Sequence, residues 1–403
     1  MSARREVEIA VVGGGPAGAA AAALLAADGH EVVVFERLPA PRWRASGVYS
    51  SPLTRRRLRA VGLDEEQLAR LIRPISAMVV EAADGSAAAR LEHEPPDHGC
   101  GVDRVRLESA LIEHARTRGA LVHEAAVVQQ VHLATRGSGL LVSRGGSREW
   151  WRARLVVGAD GPGSLVARAA GAAIPTRRFR RAALTGHRAD GAARPPDQPM
   201  EARLVIGRGW YLGVAPVPGR RVNLGLVLGE GQLRAGLATG GTEAVLESAL
   251  RSIAGPAAGW LDAAPTDQLQ AHLPLTHRVA RSAGRGWLLV GDAAGFIDPI
   301  TGDGLHRALA SAEMAASAAR AWLRGDGLAL GDYDRRLRAR FRGKDIVSWL
   351  LQLFLFQPEL AGYALRRLAR RDSVRRTFAR GLADRRPASE LVDPRFHLRL
   401  LAP

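Results

Sequence analysis

The chain has 403 residues, 47% hydrophobic and 24% charged, which excludes a disordered or fibrous protein and leaves room for two to three lobes at about 150 residues each. One cysteine, Cys100, excludes an internal disulfide framework and any Cys-rich zinc or iron–sulfur site, and it suits a reducing cytoplasm. The net charge of +17 rests on fifty-six arginines against a single lysine, Lys344; with no nucleic-acid motif and no aromatics among the basic residues, it points to a coding preference and away from nucleic-acid binding.

Val7 to Val12 is a short apolar strand that runs into Gly13-Gly14-Gly15-Pro16-Ala17-Gly18, followed by an alanine-rich helix to about Gly29 and a second strand from Glu31 to Phe35. In this strand–turn–helix–strand unit Gly13 serves the tight bend, Gly15 the close approach of a pyrophosphate and Gly18 helix–strand packing. Glu36, 18 residues beyond Gly18, is placed to accept from a ribose hydroxyl. Asp103 is a cap for a helix reaching about Gly119, and strands are expected near Val127–Leu133, Leu140–Ser143 and Leu155–Gly158, the last ending at Asp160-Gly161. Between about Ala172 and Gln268 helical periodicity fades, and β-like segments at Ala202–Ile206, Trp210–Val214 and Val222–Leu228 indicate a sheet-based lobe. Trp287 to Asp292 reads as a buried strand closing on a turn, Gly304 to Leu323 as a long helix, and the chain from Asp332 as helical and arginine-rich.

Three motifs thus stand in one order: Gly13–Gly18, Asp160-Gly161 after a strand, and Gly291-Asp292-Ala-Ala-Gly-Phe-Ile-Asp298-Pro299 before a glycine-entered helix. Together they resemble the flavoprotein monooxygenases of the para-hydroxybenzoate hydroxylase fold and their kin, the geranylgeranyl reductases and flavin-dependent halogenases, over about Glu6 to Leu323. The fold so implied is α/β. It has a discontinuous Rossmann-type FAD-binding lobe (1–75, 98–171 and 280–330), a sheet-rich substrate lobe (76–97 and 172–279) and a helical C-terminal segment (331–403). By the same resemblance the first loop and Glu36 hold the ADP half of FAD, Arg104 lies near its pyrophosphate, and Gly291-Asp292 meets the ribityl chain. The turn through Pro299, Gly302 and Gly304 would run under the flavin's pyrimidine edge, where helix N-terminal N–H groups stabilise negative charge. Arg44, Asp160 and Gly161 would lie near FAD and a transiently docked NAD(P)H, because no second glycine loop provides a domain for it.

The reaction type is less sharply marked. Ser46 takes the place of the cysteine that geranylgeranyl reductases carry in Pro-Cys-Gly-Gly, and Gly295 stands where hydroxylases often have histidine. The halogenases' catalytic lysine has no counterpart, since Lys344 lies in the C-terminal segment and Arg73 is the nearest cation in the expected region. The expectation is an FAD-dependent, NAD(P)H-fuelled oxidoreductase on a hydrophobic small molecule. It leans to monooxygenation through a flavin C4a-hydroperoxide, with double-bond reduction as the alternative. His306, Tyr211 and Ser46 are the candidate catalytic residues, and Trp210, Tyr211 and His187 the candidate cavity lining; His277 is a further histidine of interest. No His, Asp and Glu set has metal-ligand spacing, so no metal is expected. No segment reaches the roughly 20 apolar residues of a membrane span. The run Trp349 to Phe356, followed by arginines, suggests at most peripheral membrane contact or a cavity mouth.

Overall fold

The computed structural model describes residues 5–93, 97–134, 137–175, 180–191, 195, 197–255 and 259–401, with the side chains of 353–356 outside that set. Its first layer is a sheet whose strand order runs Ala283–Gly284, Trp287–Leu289, Ser147–Gly158, Arg5–Val12, Val32–Phe35, Leu121–His123. The central strands are parallel, with Val12 beside Gly158 and Phe35. Their near-continuous runs of Val, Ile and Ala fit burial on both faces. One face is covered by helices Pro16–Ala27, Arg104–Thr117 and Gly304–Leu323, whose alanines let helix and sheet approach closely. The Asp103 carboxylate caps the second of these by accepting from the Arg106 N–H at 3.1 Å.

The second sheet runs Gln270–His272, Arg181–Ala189, Arg221–Gly229, Trp210–Val217, Met200–Gly207, Ile72–Ala82, Gly99–Val102, Tyr49–Ser50, with Ala88–Glu92 beside Ile72–Ala82. Tyr49–Ser50 and Gly99–Val102 pair here, although both lie in segments expected with the nucleotide lobe; their short extended stretches complete the far edge of this sheet. One face packs Leu212, Leu224 and Leu226 against a helix from Glu230 to Arg251. The lobe is sheet-rich as expected, and this helix is an element that the sequence reading did not name. Four glycines dilute its apolar periodicity, and Gly241 breaks it with φ 79°, so two short amphipathic halves stand where one pattern would have been legible. The other face opens on a cavity between the two sheets.

The segment from Ala329 is helical, as expected: helices Ala329–Phe356, Pro358–Arg370, Asp372–Leu382 and Pro394–Leu401 pack over Val80, Ala89 and Leu91. Part of the Trp349–Phe356 run falls outside the described side chains; Gln352 within it and Ser348 just before it are buried, which favours packing at those two positions. Among the described residues, no helix is long and apolar enough to cross a membrane.

Candidate active site

A cavity of about 790 Å³ runs from the glycine loop, between the sheets, to the C-terminal helices. At its head the first strand ends at Val12, and Gly13 turns with φ 102°; a Cβ there would lie 2.5 Å from the Ala159 carbonyl oxygen. A Cβ on Gly18 would collide with the Gly13 carbonyl, so this glycine seats the helix on the strand. Gly15 differs: a Cβ would meet nothing within 4 Å, and the residue lines the cavity. Glu36, buried at the end of its strand, accepts from the Gly14 N–H at 2.7 Å and the Leu38 N–H at 2.9 Å.

On the cavity flank Glu108 accepts from Arg44 at 2.9 Å and Arg104 at 3.2 Å. One carboxylate thus holds two guanidinium groups together, and the Arg104 Nε is buried without a hydrogen-bond partner. Asp292, on a short 3-10 turn after the strand Trp287–Leu289, lines the cavity; burial pushes its carboxyl up to about 6, against the pull of Arg104 and Arg307. The turn's entry, Gly291, has φ 58° and donates its N–H to Ser311 Oγ at 2.8 Å. Pro299, Gly302 and Gly304 follow along the cavity, with Gly302 at φ 67°. These observations fit FAD: an open approach at Gly15, a paired cation with an unused donor, a carboxyl facing an enclosed space and a helix N-terminus. Gly13, Gly15, Glu36, Arg104, Asp292 and the turn Pro299–Gly304 are the residues that would hold it.

Asp160 and Gly161 also line the cavity, but the Asp160 carboxylate is turned to its own chain, accepting from the Ser164 hydroxyl at 2.5 Å and the Leu165 N–H at 2.6 Å. Ser46 lines the wall beside Arg44. Tyr211 lines it too, with its hydroxyl donated to Asp298 at 2.5 Å and the Arg181 guanidinium over its ring. Burial raises the Tyr211 phenol well above its ordinary range and raises the Asp298 carboxyl as well. This trio ties the loop before Pro299 to the second sheet.

Three candidates lie away from the cavity. Trp210, one residue from Tyr211 on the same strand, points to the opposite face and packs with the core under the helix Glu230–Arg251. His187 is shielded by Trp43, whose ring centroid is 4.3 Å away, and binds Asp267 at 2.5 Å. His306 is fully buried on the far side of its helix, accepting from Arg57 Nε at 3.3 Å and standing 3.5 Å from Asp384. Burial lowers it to about 3, so it is neutral. His277 is buried in the core, 3.2 Å from the Ala293 carbonyl oxygen. The cavity wall holds a pair that sequence reasoning missed, Tyr49 and His93, with Oη 2.9 Å from Nε2. Burial pushes His93 down to about 4 and the Tyr49 phenol up. Their partnership rests on the strand Tyr49–Ser50 and the end of Ala88–Glu92, joined through Gly99–Val102 and Ile72–Ala82, a pairing with no local signal.

The chain belongs to the family of proteins built on the FAD-binding domain, whose pattern it matches over residues 6–341. It is an FAD-dependent oxidoreductase, and NAD(P)H is the reductant typical of that family. It is 28% identical to the digeranylgeranylglycerophospholipid reductase 2 of Methanopyrus kandleri over 78% of this chain and 77% of that protein. It is 24% identical to the tryptophan 2-halogenase of Chondromyces crocatus, over 81% of this chain and 63% of the other. Among solved structures, a flavoprotein/dehydrogenase from Cytophaga hutchinsonii shares the fold with a TM-score of 0.81 at 19% identity, covering 94% of this chain and 93% of that one. A geranylgeranyl bacteriochlorophyll reductase-like protein from Thermoplasma acidophilum superposes with a TM-score of 0.76 at 21% identity, covering 97% and 100%.

Proposed function

We propose that this protein reduces a carbon–carbon double bond in an apolar small molecule. The observation that carries the reading is the Tyr49–His93 pair on the cavity wall, beside the Gly302 turn against which the Tyr49 ring packs. Bound FAD, reduced by NAD(P)H, supplies the hydride; the protein must supply the proton. With the imidazole proton on Nε2, His93 donates to the phenol oxygen and leaves the Tyr49 proton free for the cavity. Tyr49 Oη gives that proton to the substrate carbon next to the one that received hydride; the His93 Nε2–H stays on its nitrogen and stabilises the phenolate until a proton from solvent restores the phenol. A phenol held above its ordinary pKa is a weak acid, suited to a carbanion formed after hydride addition and unsuited to protonating an isolated alkene first. The double bond is therefore one conjugated to an electron-withdrawing group. Leu204, Leu275, Phe296 and Ile300 line the cavity and favour an apolar body, and the similarity over most of the chain to reductases of geranylgeranyl lipids supports an apolar substrate, while the proton donor here distinguishes a conjugated double bond from the isolated ones of those lipids.

Monooxygenation is the second reading, favoured by Ser46 at the position of the reductases' cysteine, a poorer proton donor than a thiol. Halogenation is disfavoured because Lys344 is enclosed behind the cofactor turn by carboxylates and a carbonyl. The test is anaerobic turnover of an α,β-unsaturated ketone by the reduced holoenzyme. Tyr49→Phe should keep its FAD and lose about a hundredfold in rate, while Ser46→Ala should change little. A product that requires O₂ and carries labelled oxygen would replace this reading with the second.

A further inference from the structure

The one lysine in a chain of fifty-six arginines lies buried, 5% exposed at its side chain, at the back of the cofactor turn. Its ammonium donates to Asp303 Oδ2 at 2.8 Å and to the Leu382 carbonyl oxygen at 2.5 Å, and it forms an ion pair with Asp384 Oδ2 at 3.3 Å. Three oxygens around one nitrogen suit a compact ammonium, which donates to two of them and pairs electrostatically with the third; a planar guanidinium spreads its donors in a fork and cannot occupy that point. Arginine serves at the other basic positions, so this site requires lysine by shape.

Asp303 immediately precedes the helix Gly304–Leu323, the position from which an aspartate usually accepts from the helix's own first-turn N–H groups. Its side chain makes no such bond and turns back to Lys344 instead. The first-turn donors are thereby left to the cavity, which Gly302, Gly304 and Leu305 line. Asp384 is held with φ 59°, a backbone conformation aspartate adopts at some cost, and this aims its carboxylate inward at the same ammonium. On either side of these contacts, Gly302 and Gly304 border the cavity on one element, and Leu382 and Ala383 on another.

We propose that Lys344 is a positioning residue for FAD: it draws Asp303 away from the helix N-terminus, keeps that N-terminus open to the flavin, and fastens the C-terminal wall of the cavity to the same turn. The inference concerns cofactor binding alone, so it stands or falls independently of which reaction the holoenzyme performs.

The test measures FAD dissociation constants, the flavin reduction potential and far-UV circular dichroism on the full-length protein. Lys344→Met frees Asp303 to cap its own helix, so FAD affinity should fall by about tenfold or more and the potential should become more negative. Lys344→Arg should not rescue it. Removing the competing side chain in Lys344→Met/Asp303→Ala should recover most of the lost affinity, an outcome that a merely structural lysine would not give. The exposed Arg336→Met is the control and should bind as the parent does. If Lys344→Met does not fold, the charge-retaining Lys344→Arg carries the decision. FAD affinity within about twofold of the parent in a folded Lys344→Arg, or a double variant no better than the single, would overturn the proposal.

Discussion

Gly15 and Gly18 belong to one loop, and their missing side chains serve different ends. A Cβ at Gly15 enters open cavity, so Gly15→Val should fold and purify with little or no FAD. A Cβ at Gly18 meets the Gly13 carbonyl, so Gly18→Ala should cost roughly 1–3 kcal/mol of stability whether or not FAD is present. Thermal unfolding with and without added FAD separates the two; equal behaviour would refute the division of labour. Asp292→Ala should lower flavin occupancy without unfolding the apoprotein. His306 gives a pH signature. Its folded-state pKa near 3 lies below the unfolded value near 6.5, so the unfolded chain binds the proton first and native stability falls as pH drops from about 6.5 toward 3. His306→Gln lacks that proton. The stability gap between parent and variant should shrink by about 1–2 kcal/mol from pH 7 to pH 5 in denaturant titrations; a constant gap would mean that His306 is not held neutral.

At the scale of elements, the helix Glu230–Arg251 earns its place by burial on one side. Leu246 is fully buried against the second sheet, and Leu246→Ala should cost about 3 kcal/mol, whereas Leu237, 43% exposed, should tolerate alanine within about 0.5 kcal/mol. Comparable losses at both positions would show that the two halves do not pack as described. The βαβ opening, the second-sheet strands Met200–Gly207, Trp210–Val217 and Arg221–Gly229 and the helix Gly304–Leu323 are legible because each carries an uninterrupted local period. The helix Glu230–Arg251 is not, since its glycines break that period. The same contrast runs through the site. The glycine loop and Asp292 can be read locally, but which of Trp210 and Tyr211 faces the cavity depends on strand orientation between the layers. His306 follows cavity-lining Gly304 and Leu305 on one helical turn, and the angular step of that turn carries it out of the cavity. The shielding of His187 by Trp43 and the meeting of Tyr49 with His93 join residues from distant segments, and no window of sequence contains both partners.

For the molecule as a whole, the most telling feature is where the first sheet finds its strands. Arg5–Val12 has Val32–Phe35 on one side, but on the other it waits for Ser147–Gly158, which in turn lies beside Trp287–Leu289. During synthesis, then, the glycine loop leaves the ribosome hundreds of residues before the strand that leads to Asp292, and the growing chain carries half a nucleotide site that nothing yet closes. Flavin capture should then be a late event, set by the emergence of the last sheet strands and not by the early appearance of the loop. Nascent chains released before residue 287 should retain no FAD after gel filtration, and retention of flavin by such a fragment would show that the first half-site suffices alone. On that expectation a prematurely ended chain is released without the redox group, and partial products carry no reactive flavin into the cell.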